Sequence, residues 1–441
     1  MTARELAIKI IKQYDSNDEM IDHILSKQLS QHDLSKVDKR LTNELVNGTL
    51  RWRIKIDWVI ARLYRGKFEK LPRLMRIILE VSIYQLLMLD KVPEYAAINE
   101  AVNITKKTSG QYWGNLVNAI LRSFLRKKRN IEDSIDGLKL NHSISVKYSH
   151  PLWMIDRWLK RYGIKETREL CSINNDRPTN SLRVNLLKTS IDDVIKGLQE
   201  DGIEVEHGSF LDEFIHVKNL PDLNQYASFQ KGYFSVQDES AGLVSHLVDP
   251  QPGEKILDLC AAPGGKATHM AELSPESIIF GVDLYHQRLT MIRQNIQRLG
   301  LKNIHLICAD ARHIEFKNVD KILTDVPCSG LGVLAKRSDL RYKRKLKQIG
   351  ELAQLQYEIL NNASRILKNG GSLIYSTCTI APEENERMIE AFLEKNPNFG
   401  IAEPDHTNFP ENLIVNRQYI QTLPHIHKID GSFSVKLIKR D

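Results

Sequence analysis

Only five cysteines occur in 441 residues, at 171, 260, 308, 328 and 378, and no two of them stand in a C-x-x-C spacing. That scarcity excludes a disulfide-stapled scaffold and supplies no thiolate ligand set, so no metal is expected and a reducing, cytoplasmic compartment fits best. His425 and His427 have no further Cys or His nearby to complete a metal site. Long apolar runs are missing too. The most hydrophobic window, Leu74 to Leu89, carries Arg76 and Glu80, and Met1 to Leu6 lacks the apolar centre of a signal peptide, so neither a membrane span nor a secretory leader is expected. No internal repeat or low-complexity tract appears, which removes solenoids and disordered tails.

What is present is an ordinary globular composition, 42% hydrophobic and 27% charged, in a chain long enough for two or three domains. The net charge is +7, and it is unevenly placed. Residues 1–140 hold 25 Lys and Arg against 17 Asp and Glu, and the remainder is close to neutral. A basic region attached to a near-neutral fold points to a polyanionic partner, with a solvated basic face as the plain alternative.

Residues 1–140 read as all helix, with apolar positions at helical spacing such as Leu41, Leu45, Val46 and Leu50, and again Leu116, Val117, Ile120, Leu121, Phe124 and Leu125. Arg126-Lys127-Lys128-Arg129 then reads either as a phosphate-contacting cluster or as cations complementing a helix C-terminus. With Arg51, Arg53, Lys55, Arg62, Arg65, Lys67, Lys70 and Arg73 in the same region, the nucleic-acid reading gains weight. Residues 141–225 open with a helix whose Trp153, Ile155, Trp158, Leu159 and Tyr162 are expected to pack between domains. A small α+β module follows over roughly 177–225. Arg183 and Asn185 share one face of its first strand and are candidates to face RNA, the alternative being an exposed polar face. The last domain, 226–441, opens with Gly232 to Ser240 as a strand leading into a helix, and parallel strands and helices then alternate to about 400 as in a doubly wound α/β sheet.

In this last region Lys255-Ile256-Leu257 is a short apolar run after the turn signal Pro252-Gly253, and Cys260-Ala261-Ala262-Pro263-Gly264-Gly265-Lys266 follows directly. Such a strand, small-residue loop and helix let a ligand approach the backbone closely. The loop is not the G-x-G-x-x-G fingerprint, which disfavours nicotinamide and flavin cofactors. The next strand ends in Asp283, placed where such folds bind ribose hydroxyls, and the third again ends in a carboxylate, Asp310, so three strand ends gather around one crevice and a nucleoside-bearing ligand is expected.

The fourth strand ends at Asp325 and leads into Val326-Pro327-Cys328-Ser329-Gly330; the fifth ends in Ser376-Thr377-Cys378-Thr379. Each delivers a cysteine just past a strand's carboxyl end. Taken singly, each is best read as a small buried hydrophobe. If the two strands are neighbours, both thiols open into one crevice beside the cofactor. One reaction explains the pair. Carbon-5 of a pyrimidine is a poor nucleophile until a thiolate adds at carbon-6; carbon-5 then attacks an electrophilic methyl group, and a second thiol assists proton removal and release. The base must be flipped out or single-stranded, and Asp325 is placed to hydrogen-bond the base or the cofactor's amino group.

Leu257 to Lys266, Asp325-Val326-Pro327-Cys328-Ser329-Gly330, Ser376-Thr377-Cys378-Thr379 and the late Asp430-Gly431-Ser432-Phe433 together resemble the Sun/Fmu family of bacterial ribosomal RNA cytosine-5 methyltransferases, over the whole chain. The resemblance implies a NusB-like N-terminal RNA-binding domain (1–140), a ferredoxin- or RRM-like module after a helical linker (141–225), and a Rossmann-like class I methyltransferase domain (226–441). It implies S-adenosylmethionine held by Cys260, Ala261, Ala262, Pro263, Gly264, Gly265, Lys266, Asp283, Asp310 and Asp325, with Arg288 adding a contact. It makes Cys378 the nucleophile and Cys328 the releasing residue, an order that spacing does not give. Small-subunit (16S) rRNA is the implied substrate and a cytoplasmic monomer the implied form. Transfer RNA as substrate and a non-catalytic assembly factor are the alternatives; retention of both thiols argues against the latter. Two positions depart from the family pattern: Arg337-Ser338-Asp339 stands where relatives carry His-Pro-Asp, and Ser432 replaces a Phe. The basic run Lys336, Arg337, Arg341, Lys343, Arg344, Lys345 and Lys347 is the expected RNA-backbone contact, the alternative being a solvated loop.

Overall fold

The computed structural model describes residues 1–218, 223 and 226–440. Two units emerge: residues 1–176 with 334–344, and residues 177–333 with 345–441.

The first unit is helical, as the 3.6-residue periodicity predicts. Helices span Ala3–Ser16, Ile21–Gln31, Lys36–Leu63, Arg73–Met88, Glu94–Ser109, Gln111–Asp136, Leu140–Tyr148 and Leu152–Ile173. Thr2 and Glu5 form a capping box in which each side chain accepts from the other's backbone N–H at the start of the first helix. Leu6, Ile10, Leu45, Leu50, Ile78 and Phe124 close its core. Inside lies an ion cluster. Glu80, fully buried, is held by Arg53 (3.0 Å), Arg73 (3.2 Å) and Arg76 (3.0 Å), and Arg53 also meets Asp15 at 2.8 Å. Lys55 pairs with Glu132 at 3.2 Å. Arg53 and Arg73, expected to meet nucleic acid, are therefore neutralised with Arg76 around Glu80, because a buried carboxylate needs several positive partners to stay charged, and Lys55 is paired as well. Arg62, Arg65, Lys67, Lys70, Arg126, Lys127 and Arg129 are exposed.

The segment 334–344 belongs to this unit and corrects part of the expectation for the basic run, namely Arg337, Arg341 and Lys343; Lys345 and Lys347, beyond the segment, are exposed. Arg341 is wholly buried and donates to the carbonyls of Arg51 (3.1 Å), Ser149 (3.1 Å) and Asn174 (2.7 Å) and to Asn175 Oδ1 (2.8 Å). Burial lowers its pKa to about 10, so it remains charged at neutral pH. Arg337 pairs with Asp22 at 3.3 Å and Asp339 at 3.5 Å, and Lys343 donates to the carbonyls of Tyr14 and Asn17. Guanidinium donors capping free carbonyls read in sequence like a phosphate-binding stretch. Ile155 and Trp158 are buried within the same unit, with the Trp158 ring edge-on to His150 at 5.5 Å.

The second unit holds two sheets. The smaller is antiparallel, with β1 (Asn180–Val184), β2 (Val205–His207), β3 (Phe214–Val217) and β4 (Phe234–Val236) in the order β2-β3-β1-β4, and a helix over Ile191–Glu200 capped by Ser190. The module boundary expected at 225 lies outside the described residues, and β4, a strand expected to open the last domain, instead pairs with β1 in this sheet. Arg183 and Asn185 do not face outward. Both are buried, and Asn185 donates to the carbonyls of Gly232 (3.2 Å) and Leu299 (3.4 Å).

The larger sheet has β5 (Lys255–Asp258), β6 (Ile278–Asp283), β7 (Ile304–Cys308), β8 (Val319–Asp325), β9 (Leu367–Thr377), β10 (Phe399–Ala402), β11 (Ile414–Val415), β12 (Tyr419–Thr422) and β13 (Ser432–Lys439). Its order is β11-β12-β13-β9-β8-β5-β6-β7, with β10 beside β13. β5 to β9 run parallel, and β13 is antiparallel to β9. The strand order reverses at β5, between β6 and β8, which opens a crevice at the carboxyl ends of the strands.

Candidate active site

β5 ends in Asp258, and the loop to the helix Gly265–Leu273 turns at Gly264, whose φ of 101° favours glycine. A Cβ there would stand 2.9 Å from Ile292. The loop is pinned to its neighbours: Ala261 N donates to Val282 O (2.8 Å) and Leu259 N to Leu323 O (3.0 Å). A cavity of about 200 Å³ lies against it, lined by Val236, Gln237, Asp258, Ala262, Lys266 and Asp325 among others. Lys266 Nζ reaches Asp325 Oδ2 at 2.6 Å, and Ser376 Oγ donates to Asp325 Oδ1 at 2.6 Å. Burial works against the Lys266 ammonium, but Asp325 outweighs it and the pKa ends above the usual lysine value. Asp258, wholly buried with Asp325 close by, is pushed up to about 7.

Asp283, at the end of β6, is buried and accepts from Tyr285 N (3.1 Å) and Arg288 (3.1 Å); Arg288 also donates to Ala262 O (3.0 Å). Asp310, past β7, is held by Arg312 through bonds of 2.6–3.1 Å, which with little burial brings its pKa down to about 2. Cys260 is raised well above an ordinary thiol by burial and by Asp258. Asp258, Asp283 and Asp325 thus stand at the ends of β5, β6 and β8, with Asp310 two residues past β7.

β8 and β9 are hydrogen-bonded neighbours, with Asp325 opposite Ser376. Cys328 and Cys378 accordingly meet: their Sγ atoms are 2.9 Å apart, and Cys378 N donates to Cys328 Sγ at 3.3 Å. Cys378 is exposed and Cys328 buried. The hydrogen bond with Cys378, burial and nearby negative charge hold the Cys328 pKa well above the ordinary thiol value. The Asp430-Gly431-Ser432 stretch closes the same region, with Gly431 N on Gly332 O (2.8 Å) and Gly332 N on Cys378 O (3.1 Å). Ser432 bonds Thr422 Oγ1 at 2.9 Å.

One contributor was not singled out from sequence, and a second, Arg183, was expected to face RNA instead. Gln237 follows β4; its Oε1 accepts from Arg183, while its buried Nε2, in the cavity wall, has no hydrogen-bond partner among the described residues. Arg183 also pairs with Glu272 (2.9 Å) and donates to Gly265 O (2.8 Å) and Thr268 (3.0 Å), fixing the helix behind the loop. An orphaned donor facing a small-residue loop is what a polar ligand would fill. Among the described residues one group has the side chains for a cation, Glu213, His246 and His269, whose ligand atoms lie within 4.8 Å of one another. Glu213 Oε1 bonds the ring nitrogens of both histidines, at 2.7 and 3.0 Å. Burial first, then the nearby Arg183, brings His269 down to about 3, so it is neutral. These residues are far apart in sequence, and no spacing announces them.

The geometry is that of a known group of proteins. The family model described as 16S rRNA methyltransferase RsmB/F matches residues 245–438, that of the NusB family residues 1–126, and that of an RsmF/B-like ferredoxin-like domain residues 150–223. The chain is 33% identical to the probable ribosomal RNA small subunit methyltransferase B of Bacillus subtilis, covering 100% of this chain and 99% of that one. It is 35% identical to the probable enzyme of the same description from Synechocystis, each covered in full. The crystal structure of PH0851 superposes with a TM-score of 0.84 at 28% identity, covering 100% of this chain and 99% of that one. A methyltransferase homologue from Pyrococcus horikoshii matches at TM-score 0.57 and 28% identity, over 67% of this chain and 97% of that one. The chain belongs to the RsmB/F family of 16S rRNA methyltransferases.

Proposed function

We propose that the protein methylates carbon-5 of a cytosine in small-subunit rRNA through a covalent Cys378–cytosine intermediate. The observation that carries this reading is the pair of thiols 2.9 Å apart at the ends of two adjacent parallel strands, beside the cavity. A binding module needs neither thiol. The curated relatives are described as acting on small-subunit ribosomal RNA, which supports that substrate.

S-adenosylmethionine supplies an electrophilic methyl group when bound. The residues fit it: the loop Cys260 to Lys266, with Asp283, Asp310 and Asp325, would hold it with Arg288 adjoining, and the unpartnered Gln237 amide faces the same cavity. Cys378, exposed at the mouth, adds as thiolate to carbon-6 of a flipped base, and the electron pair so placed on carbon-5 takes the methyl. Asp325, fixed by Lys266 and Ser376, is placed to bond the base. Cys328 acts last. The first cause of its high pKa is Cys378 itself, so once that sulfur is bonded to carbon-6 the cause is removed. Cys328 then ionises more readily and takes the carbon-5 proton, and the Cys378 thiolate leaves as the ring regains its aromaticity. The exposed cations of the N-terminal unit, Arg62, Arg65, Lys67, Lys70, Arg126, Lys127 and Arg129, are assigned to the RNA backbone.

Methyl transfer to small-subunit rRNA, with the product nucleoside identified by mass, tests the reading. Cys378→Ala is expected to lose activity by about a thousandfold or more. Wild-type rates in that variant, or a product other than 5-methylcytidine, would overturn it.

A further inference from the structure

Behind the two thiols sits a buried carboxylate. Glu384, in the short 3-10 turn Pro382–Glu384 after β9, is fully buried. Its Oε1 accepts from Ser329 N (2.8 Å) and Gln356 Nε2 (2.8 Å), and its Oε2 accepts from Ser329 Oγ. Ser329 is the residue after Cys328, and its Oγ lies 2.7 Å from Thr379 Oγ1, on the residue after Cys378. Gln356 also donates to Pro327 O (2.9 Å), the residue before Cys328. Ser329 is thus fastened to Glu384 directly, Pro327 through Gln356, and Thr379 through Ser329. Exposed loops carry no such ties, and without them the two loop ends are free to drift apart by more than bonding distance.

We propose that Glu384 is a positioning residue that sets the separation of the Cys328 and Cys378 thiols. It touches neither reacting atom; it acts through Ser329, Gln356 and Thr379. A glutamine preserves the network, because its oxygen accepts from Ser329 N and Gln356 while its amide donates to Ser329 Oγ. Alanine does not. The proposal rests on the two-thiol reaction proposed for this site, but its test needs neither RNA nor cofactor.

The full-length protein is equilibrated in glutathione redox buffers, in which two thiols become one disulfide as one glutathione disulfide becomes two glutathione thiols. Peptide mass mapping then gives the effective concentration of the Cys328–Cys378 pair. Glu384→Ala is expected to lower it at least tenfold and Glu384→Gln less than threefold, with kcat for methyl transfer falling in the same order and KM for S-adenosylmethionine unchanged. If Glu384→Ala does not fold, as judged by its melting curve, Ser329→Ala carries the test with an expected drop of threefold or more. A folded Glu384→Ala protein with wild-type thiol coupling overturns the proposal, as does a wild-type protein whose two thiols do not pair, or a Ser329→Ala protein without a drop. Normal coupling and normal dependence on Glu384 in a protein that makes no 5-methylcytidine would instead sink only the assigned reaction.

Discussion

The chemistry turns on how individual side chains are charged and held. Asp258 is wholly buried and its pKa stands near 7, against the ordinary carboxylate range in the unfolded chain. Between about pH 4 and pH 7 the native protein therefore holds a proton that the unfolded chain has released. This contribution to stability is complete below about pH 4 and is lost as pH rises through 7. Asp258→Asn has no such proton. The difference in melting temperature, variant minus wild type, is expected to grow from pH 5 to pH 8; a constant difference would contradict the assigned ionisation. Gln237 offers a second residue-scale check. Its carbonyl is engaged by Arg183, and its buried amide nitrogen, on a residue that lines the cavity, has no partner among the described residues. Gln237→Leu is expected to weaken S-adenosylmethionine binding about tenfold, the loss of one good hydrogen bond, read by calorimetry.

Among elements, β1 and the helix Gly265–Leu273 are locked by a single side chain. Arg183 pairs with Glu272 at 2.9 Å, both nearly inaccessible, and burial drives the Glu272 pKa upward even against the pull of Arg183. Arg183→Met leaves Glu272 buried without its partner and is expected to cost about 3–5 kcal/mol in thermal or urea unfolding. Adding Glu272→Gln should recover part of that loss, since the orphaned charge is then gone. Arg183 also shows where sequence reading stops. Its alternation in β1 marks a strand correctly, but a polar residue on one face of a strand looks the same whether that face meets water or another element. The same ambiguity hides Arg341 and Arg53. By contrast, the parallel strands β5 to β9 and their carboxyl-terminal Asp and Cys residues are legible, because buried strands are short apolar runs and their chemistry follows immediately. The adjacency of β8 and β9, which brings the thiols together, needs the topology; the glutamate behind them lies in a turn without any periodic signal.

For the whole molecule, the basic surplus of residues 1–140 divides into two populations. Arg53, Arg73 and Arg76 neutralise buried carboxylates, and the segment 334–344 caps carbonyls inside the same unit through Arg341. Arg341→Ala, which strands those carbonyls, is expected to destabilise that unit by about 3 kcal/mol. The exposed set, Arg62, Arg65, Lys67, Lys70, Arg126, Lys127 and Arg129, is proposed to meet the RNA backbone. Replacing Arg126, Lys127 and Arg129 by alanine should weaken rRNA binding and flatten its salt dependence, by up to about 0.7–0.9 in log–log slope for each phosphate those side chains neutralise. An unchanged slope would return those cations to the solvated face. The central claim is narrower: which sulfur bonds the base. Cys328→Ser and Cys378→Ser proteins, each incubated with S-adenosylmethionine and small-subunit rRNA and then denatured, answer it directly. A protein–RNA adduct that survives denaturation is expected with Cys328→Ser alone, because Cys378 still attacks and release is blocked. An adduct with Cys378→Ser alone, or with neither variant, would contradict the account.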